Sequence, residues 1–221
     1  LSESGQQYLT ATLGQTYEFE TPRVQLPGES LDDRKESDLV GEVVVSAFKN
    51  WNVDLNLEWN PAQSRAERTF VQLQFKPGAE SVINVAYRYQ RSIVLPTAYA
   101  IPGTEYTTTG LGYDSESLDQ AEVSGAWPIA SHWNILGRVV YDLDVHQALD
   151  RLVGFEYSAC CWRVRVLGRR YLINGLGTHT GQQDTAFLFQ LQLTGLAGVG
   201  PATDAFLGTA IRGYSPPSST R

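Results

Sequence analysis

Two cysteines stand side by side at Cys160 and Cys161, and the chain contains no others. Adjacent Cα atoms lie about 3.8 Å apart across a trans peptide, short of the ~4.4–6.8 Å that a disulfide usually spans. A bridge between the two would be strained. Either each thiol bonds a cysteine outside these residues, or the pair is free and without a role; the first reading is favoured for a turn in an oxidising compartment. No CxxC redox motif and no Cys–His cluster at zinc spacing accompanies them. Three arginines follow on one strand parity, Arg163, Arg165 and Arg169. Guanidinium forks suit phosphates, but they also pair across strands with acids such as Asp150 and Glu156, and that simpler pairing is preferred. His132, His146 and His179 are scattered without metal spacing. The stretch "GLGTHTG" at 175–181 follows a strand but precedes no helix pattern, so it reads as a loop and not as a phosphate cradle. No catalytic group, metal or cofactor is expected.

The elements that carry these residues are strands, since period two dominates and helical periodicity is nearly absent. In "WNVDLNLEWN", Trp51, Val53, Leu55, Leu57 and Trp59 alternate with Asn52, Asp54, Asn56, Glu58 and Asn60. A strand sends these sets to opposite faces, one apolar and one strongly polar. About ten such segments, each of roughly 10–12 residues, fit tilted membrane-crossing strands better than the shorter strands of a sandwich. They fall near 8–19, 38–48, 51–60, 66–76, 80–90, 117–128, 132–143, 148–158, 161–172 and 184–195. The fold class expected is all-β: an antiparallel transmembrane β-barrel segment over 1–196, followed by a C-terminal tail over 197–221.

With the last strand ending on the periplasmic side, the links at 49–50, 77–79, 129–131 and 158–160 are tight. Those at 20–37, 61–65, 92–116, 144–147 and 173–183 face outward, and three of them are long and polar. This asymmetry characterises outer-membrane barrels. Trp51, Trp127, Trp133 and Trp162 share the apolar parity and the periplasmic strand ends, as an aromatic girdle would. Asn52, Asp54, Asn56 and Glu58, with Arg163, Arg165 and Arg169, should then face the lumen. The formal net charge of −7 argues against a general nucleic-acid binder. No apolar run approaches the ~18 residues of a membrane helix, a test blind to barrels. The start lacks a basic region followed by an apolar one, so no signal peptide is expected there, and "SPPSSTR" reads as a frayed polar tail. "GLAGVGPATD" should end the final strand and begin that tail.

Several stretches together resemble the C-terminal part of the barrel in the LptD family of outer-membrane lipopolysaccharide-assembly proteins. They are "DRKESDLVGEV" at 33–43, "WNVDLNLEWNP" at 51–61, "VAYRYQR" at 85–91 and "EVSGAWPIASHWNILGRVVYDL" at 122–143. The most specific are "GFEYSACCWRVRVLGRRYL" at 154–172 and "FLFQLQLTGLAGVG" at 187–200, joined by "FLGTAIRGY" at 206–214. Ala197 stands where the family pattern leads one to expect glycine. The resemblance implies a much larger barrel with a periplasmic N-terminal jellyroll, plugged by the lipoprotein LptE and fed with lipopolysaccharide through LptA. It implies long-range disulfides from Cys160 and Cys161 to N-terminal cysteines. It also implies a lateral gate whose edge is the final strand, near 184–194, carrying Phe187, Phe189, Leu191 and Leu193. The implied location is the outer membrane of a Gram-negative cell. The rival reading is a self-contained outer-membrane barrel serving as pore, adhesin or rim-site hydrolase; a soluble β-sandwich is the third.

Overall fold

A computed structural model of the protein describes residues 8–17, 19, 36–46, 48–96, 113–173, 182–193, 197–199 and 203–216. Among these residues, eleven strands form one antiparallel sheet in which every strand pairs with its neighbours in the chain. They are β1 Leu9–Gly14, β2 Leu39–Val45, β3 Trp51–Asn60, β4 Arg65–Phe75, β5 Val82–Pro96 and β6 Tyr113–Ala130. Then come β7 Trp133–Asp142, β8 Gln147–Ser158, β9 Trp162–Ile173, β10 Gln182–Leu193 and the short β11 Ala197–Val199. A helix, α1 Thr203–Ala210, follows. Among the described residues the sheet is open: β1 and β11 are not paired with each other. It has the meander topology of a barrel segment.

The expected strands are present, with adjusted ends. Only Leu9–Gly14 of the first forms a continuous strand, and Tyr17 adds an isolated bridge to Glu36. The fifth and sixth run well past expectation into the anticipated outer link, because Ile93–Pro96 resume pairing with Tyr113–Glu116 beyond an irregularity at Gln90. Links 46–50, 76–81, 131–132 and 159–161 leave one end of the sheet; 15–38, 61–64, 97–112, 143–146 and 174–181 leave the other. Much of the anticipated outer links at 20–37, 92–116 and 173–183, with His179, lies outside the described residues, as does the tail from 217 onward. Three tight turns place a non-glycine residue at positive φ, Asn50 at 69°, Ser64 at 51° and His146 at 53°. Asn and His tolerate that region better than most side chains.

The chain beyond β10 is not merely a tail. Residues Ala197–Val199 fold back on Leu191–Leu193, and α1 then lies across the polar face. The reason is an apolar stripe hidden on that face. Val82, Ala126, Leu136, Gly154, Leu167 and Leu188 are successive register partners across β5 to β10. Leu207, Ala210 and Ile211 cap this stripe, with Phe206 and Tyr214 packed at its margin. Leu136, Leu167, Leu207 and Ile211 are all fully buried. Each such side chain stabilises the docked state by about 1.5–3 kcal/mol. Gly154 is required beneath them: a Cβ there would sit 2.3 Å from Leu167 Cδ2.

The other face is largely apolar and bare. Val85, Val123, Val153 and Phe189 are each at least half exposed, and Phe187 is 82% exposed. At the short-link end Phe75 meets Trp51 at a tilt and stacks on Trp127, with centroids 4.6 and 6.5 Å apart. Trp133, Tyr157 and Trp162 form a second run, each step 5.0 Å. Phe75 and Tyr157 thus join the four tryptophans in one aromatic band. Among the described residues no helix is long and apolar enough to cross a membrane, which says nothing of strands.

Candidate functional site

The polar face is organised by a row of register partners one step nearer the short links, Asn134, Glu156, Arg165 and Gln190 on β7 to β10. Alternation puts all four on the side that α1 covers, and Glu156 and Arg165 are almost wholly buried. Two charges can be held there only if they meet each other and spend their remaining hydrogen-bonding capacity. Arg165 Nε donates to Glu156 Oε2 at 2.8 Å, and Nη2 donates to the same oxygen. Asn134 Nδ2 donates to Glu156 Oε1 at 3.2 Å. Arg165 Nη1 donates to Gln190 Oε1 at 3.0 Å and to the Thr203 hydroxyl, which itself donates to Gln190.

The C-terminal segment closes this cluster from above. Asp204, in the first turn of α1, accepts from Arg165 Nη2 at 2.9 Å, and a carboxylate there also meets the positive end of the helix dipole. The Tyr214 hydroxyl accepts from Arg165 at 2.6 Å and donates to Glu156 at 3.0 Å. Burial first, and the Glu156 charge second, push the Tyr214 phenol well above its ordinary range, so it remains a donor.

Past α1 the chain crosses to the earlier strands. Arg212 Nη1 lies 2.5 Å from Asp54 and donates to Gln72 at 2.6 Å. The Arg212 carbonyl accepts from Asn84 Nδ2 at 3.0 Å and from Gln74 Nε2 at 3.2 Å. Lys76 Nζ donates to the Gly213 carbonyl at 2.8 Å. Gly213 has φ 78°, and a Cβ there would come within 2.8 Å of Gln74 Nε2. Residues 203–214 are therefore a strap laid from β10 to β3.

A second chain of ion pairs runs beside the strap. Arg138 bridges Glu122 at 3.0 Å and Asp150 at 2.8 Å, and Asp150 accepts from Arg169 Nε at 2.9 Å. The Arg169 guanidinium also sits 5.3 Å from the Phe206 ring centroid. Arg163 lies 3.9 Å from Asp204 and 3.4 Å from Gln192. Cys160 and Cys161 are exposed in the turn between β8 and β9, their sulfurs 2.7 Å apart. Hydrogen bonding to Cys160 raises the Cys161 thiol pKa.

The family model described as "LptD: LPS transport system D" matches residues 1–133. An LPS-assembly protein LptD of Cupriavidus metallidurans is 33% identical over 217 residues, covering 97% of this chain and 24% of its own length. That of Nitrosococcus oceani is 27% identical over 98% of this chain and 26% of its own length. The Pseudomonas aeruginosa protein is 29% identical over 97% and 25% respectively. The chain belongs to the LptD family. It spans about a quarter of the length of these curated relatives.

Within this LptD segment the geometry groups some of the expected site residues and leaves others apart. Arg163, Arg165 and Arg169 share the strap-bearing face, and Arg165 and Arg169 are paired with Glu156 and Asp150. Asp54 is drawn to the strap by Arg212. Asn52 accepts from Ser46, and Glu58 lies 3.5 Å from Arg68, both away from the cluster; Asn56 is half-buried on the same face. On β10, Phe187, Phe189, Leu191 and Leu193 point to the bare face, opposite Gln190. Among the described residues, Gln182–Gln190 of β10 have no strand on their far side, and only Leu191–Leu193 are covered there by β11. Thr203, Asp204, Leu207 and Tyr214 were not legible as a site. The available signal was Leu136, Leu152, Leu167 and Leu188 standing on a parity that otherwise carries polar side chains.

Proposed function

We propose that this segment is part of the wall of a large outer-membrane barrel that delivers lipopolysaccharide to the outer leaflet of a Gram-negative cell. The observation that carries the reading is a single sheet with one bare apolar face, ringed by aromatics at its short-link end, and one ion-paired polar face. Such a wall lets charged sugars move through water while acyl chains enter lipid. No bond is made or broken, so the wall itself needs no catalytic group. The relatives' name, LPS-assembly protein, supports the same cargo.

On this reading Asn52, Asp54, Asn56, Glu58, Arg163, Arg165 and Arg169 face the lumen, and Trp51, Trp127, Trp133 and Trp162 sit at the periplasmic headgroup level. The open edge of β10 is one lip of a lateral gate, with Phe187, Phe189, Leu191 and Leu193 towards lipid. The other lip, the N-terminal jellyroll that meets LptA, and the lumen that receives LptE belong to the rest of the parent protein. Cys160 and Cys161, exposed at the short-link turn, bond cysteines of that missing part. Spin labels at successive positions from Trp51 to Asn60 of the full-length parent in liposomes test the wall. Accessibility should alternate between oxygen and an aqueous quencher with period two; two equally wet faces would end the membrane reading.

A further inference from the structure

Arg151 on β8 and Arg170 on β9 are register partners, and both are exposed. Strand alternation puts them on the bare face, away from the strap. Their direct partners there are Val139 on β7 and Thr185 on β10, and the diagonal positions include Gly137, Val153, Gly168 and Phe187. No carboxylate stands among these neighbours, whereas Arg138, Arg165 and Arg169 of the other face are paired with acids. Like charges directly opposite on adjacent strands repel. A lone arginine on a lipid face can extend its head to the interface, but two in direct register gain most from an anion held between them.

Their height fits that role. Arg170 is eight residues beyond Trp162 of the aromatic band along β9. At ~3.3 Å per residue and a tilt of about 40°, that is roughly 20 Å across an apolar band ~25 Å tall. The guanidinium heads then reach the headgroup level at the long-link side. Two planar forks facing one another can share the oxygens of one phosphate. Below them Val153, Val166 and Phe155 are each about half exposed, offering apolar contact to chains attached to that phosphate.

We propose that Arg151 and Arg170 bind a phosphate-bearing lipid headgroup in the leaflet at the long-link side, beside β10. This rests on the membrane-wall reading and extends it from the lumen to the outer surface, one strand from the proposed gate. The site would hold a phosphorylated lipid against the barrel at the place where cargo would emerge.

The test uses the full-length parent in neutral detergent, with native mass spectrometry reading retention of phosphatidic acid against diacylglycerol. The wild type should retain phosphatidic acid preferentially, and the R151Q/R170Q variant should lose about tenfold of that retention. R151K/R170K, which keeps the charge, should keep most of it, and each single Arg→Gln change should lose part. Unchanged retention in R151Q/R170Q would overturn the site. Displacement of the lipid by an equal concentration of inorganic phosphate would overturn the lipid assignment in favour of a free-anion site. A spin label at Val153 reports lipid contact separately. A wet Val153 fails the wall reading, whereas a lipid-facing Val153 with undiminished retention in the double variant fails this site alone.

Discussion

Replacing Arg165 with Met should undock the C-terminal strap. Arg165 is 1% exposed and its partner Glu156 is 0% exposed. The substitution leaves the Glu156 carboxylate buried with only Asn134 and Tyr214 as donors. Removing one partner of a buried ion pair costs about 3–5 kcal/mol. The strap is the part most readily released, since α1 is short and covers a stripe that the sheet can expose without breaking its ladder. At ~1.4 kcal/mol per tenfold, amide protection over 203–214 should fall by about two to three and a half orders of magnitude. Hydrogen exchange on the full-length parent reads this directly, with the amides of β7 and β8 as internal reference. Changing Glu156 to Gln in the same chain removes the stranded charge while keeping a partner for Asn134. The double variant should therefore recover most of the protection, in a cycle far from additive. A loss below about tenfold in Arg165→Met, or a double variant as exposed as the single, would refute the claim that this pair fastens the strap.

Three further outcomes follow from the same geometry. Gly213→Ala forces a side chain into positive φ and into Gln74, so strap docking should weaken by at least ~1–2 kcal/mol, read as faster proteolytic clipping between 193 and 214. Gly154→Ala places a methyl against Leu167 at a cost of about 1–3 kcal/mol, and Leu167→Ala in the same chain should relieve the clash though not the lost burial, measured by urea unfolding. Cys160→Ser, Cys161→Ser and the double change in the parent should each alter non-reducing electrophoretic mobility and leave reducing mobility alone; identical patterns throughout would remove the proposed bridges.

Strand existence was readable because side-chain alternation is set by the backbone and survives any tertiary context. "WNVDLNLEWN" states its two faces outright, and β3 occupies the expected span from Trp51 to Asn60. Strand ends were less readable. The irregular pairing at Gln90 lets β5 continue past the point where the clean pattern stops. The C-terminal segment escaped notice for a different reason. An eight-residue helix of small and mixed residues has little periodic signal, and its stability comes from a stripe assembled from six strands. Val82, Ala126, Leu136, Leu167 and Leu188 each look like one exception in a polar row. Only the register shows that they are neighbours. For the arginines, alternation gave the face and cross-strand chemistry gave the partner type, while the helix residues Thr203 and Asp204 could not be placed against Arg165 without the fold.

The strap constrains how β10 can move. Gln190 is bound through Thr203 and Arg165 to both α1 and Glu156, so the short-link part of β10 is fastened to β8 and β9 by side chains as well as by its ladder. Arg212 and Gly213 fasten the other end of the strap to β3, β4 and β5. Among the described residues, the far side of Gln182–Gln190 carries no strand and lies away from these ties, as does the outer side of β1. Parting there disrupts no contact of the strap, whereas parting between β9 and β10 would break a twelve-pair ladder and the buried Arg165 cluster together. The strap therefore ties β3, β4, β5, β8, β9 and β10 together across the polar face.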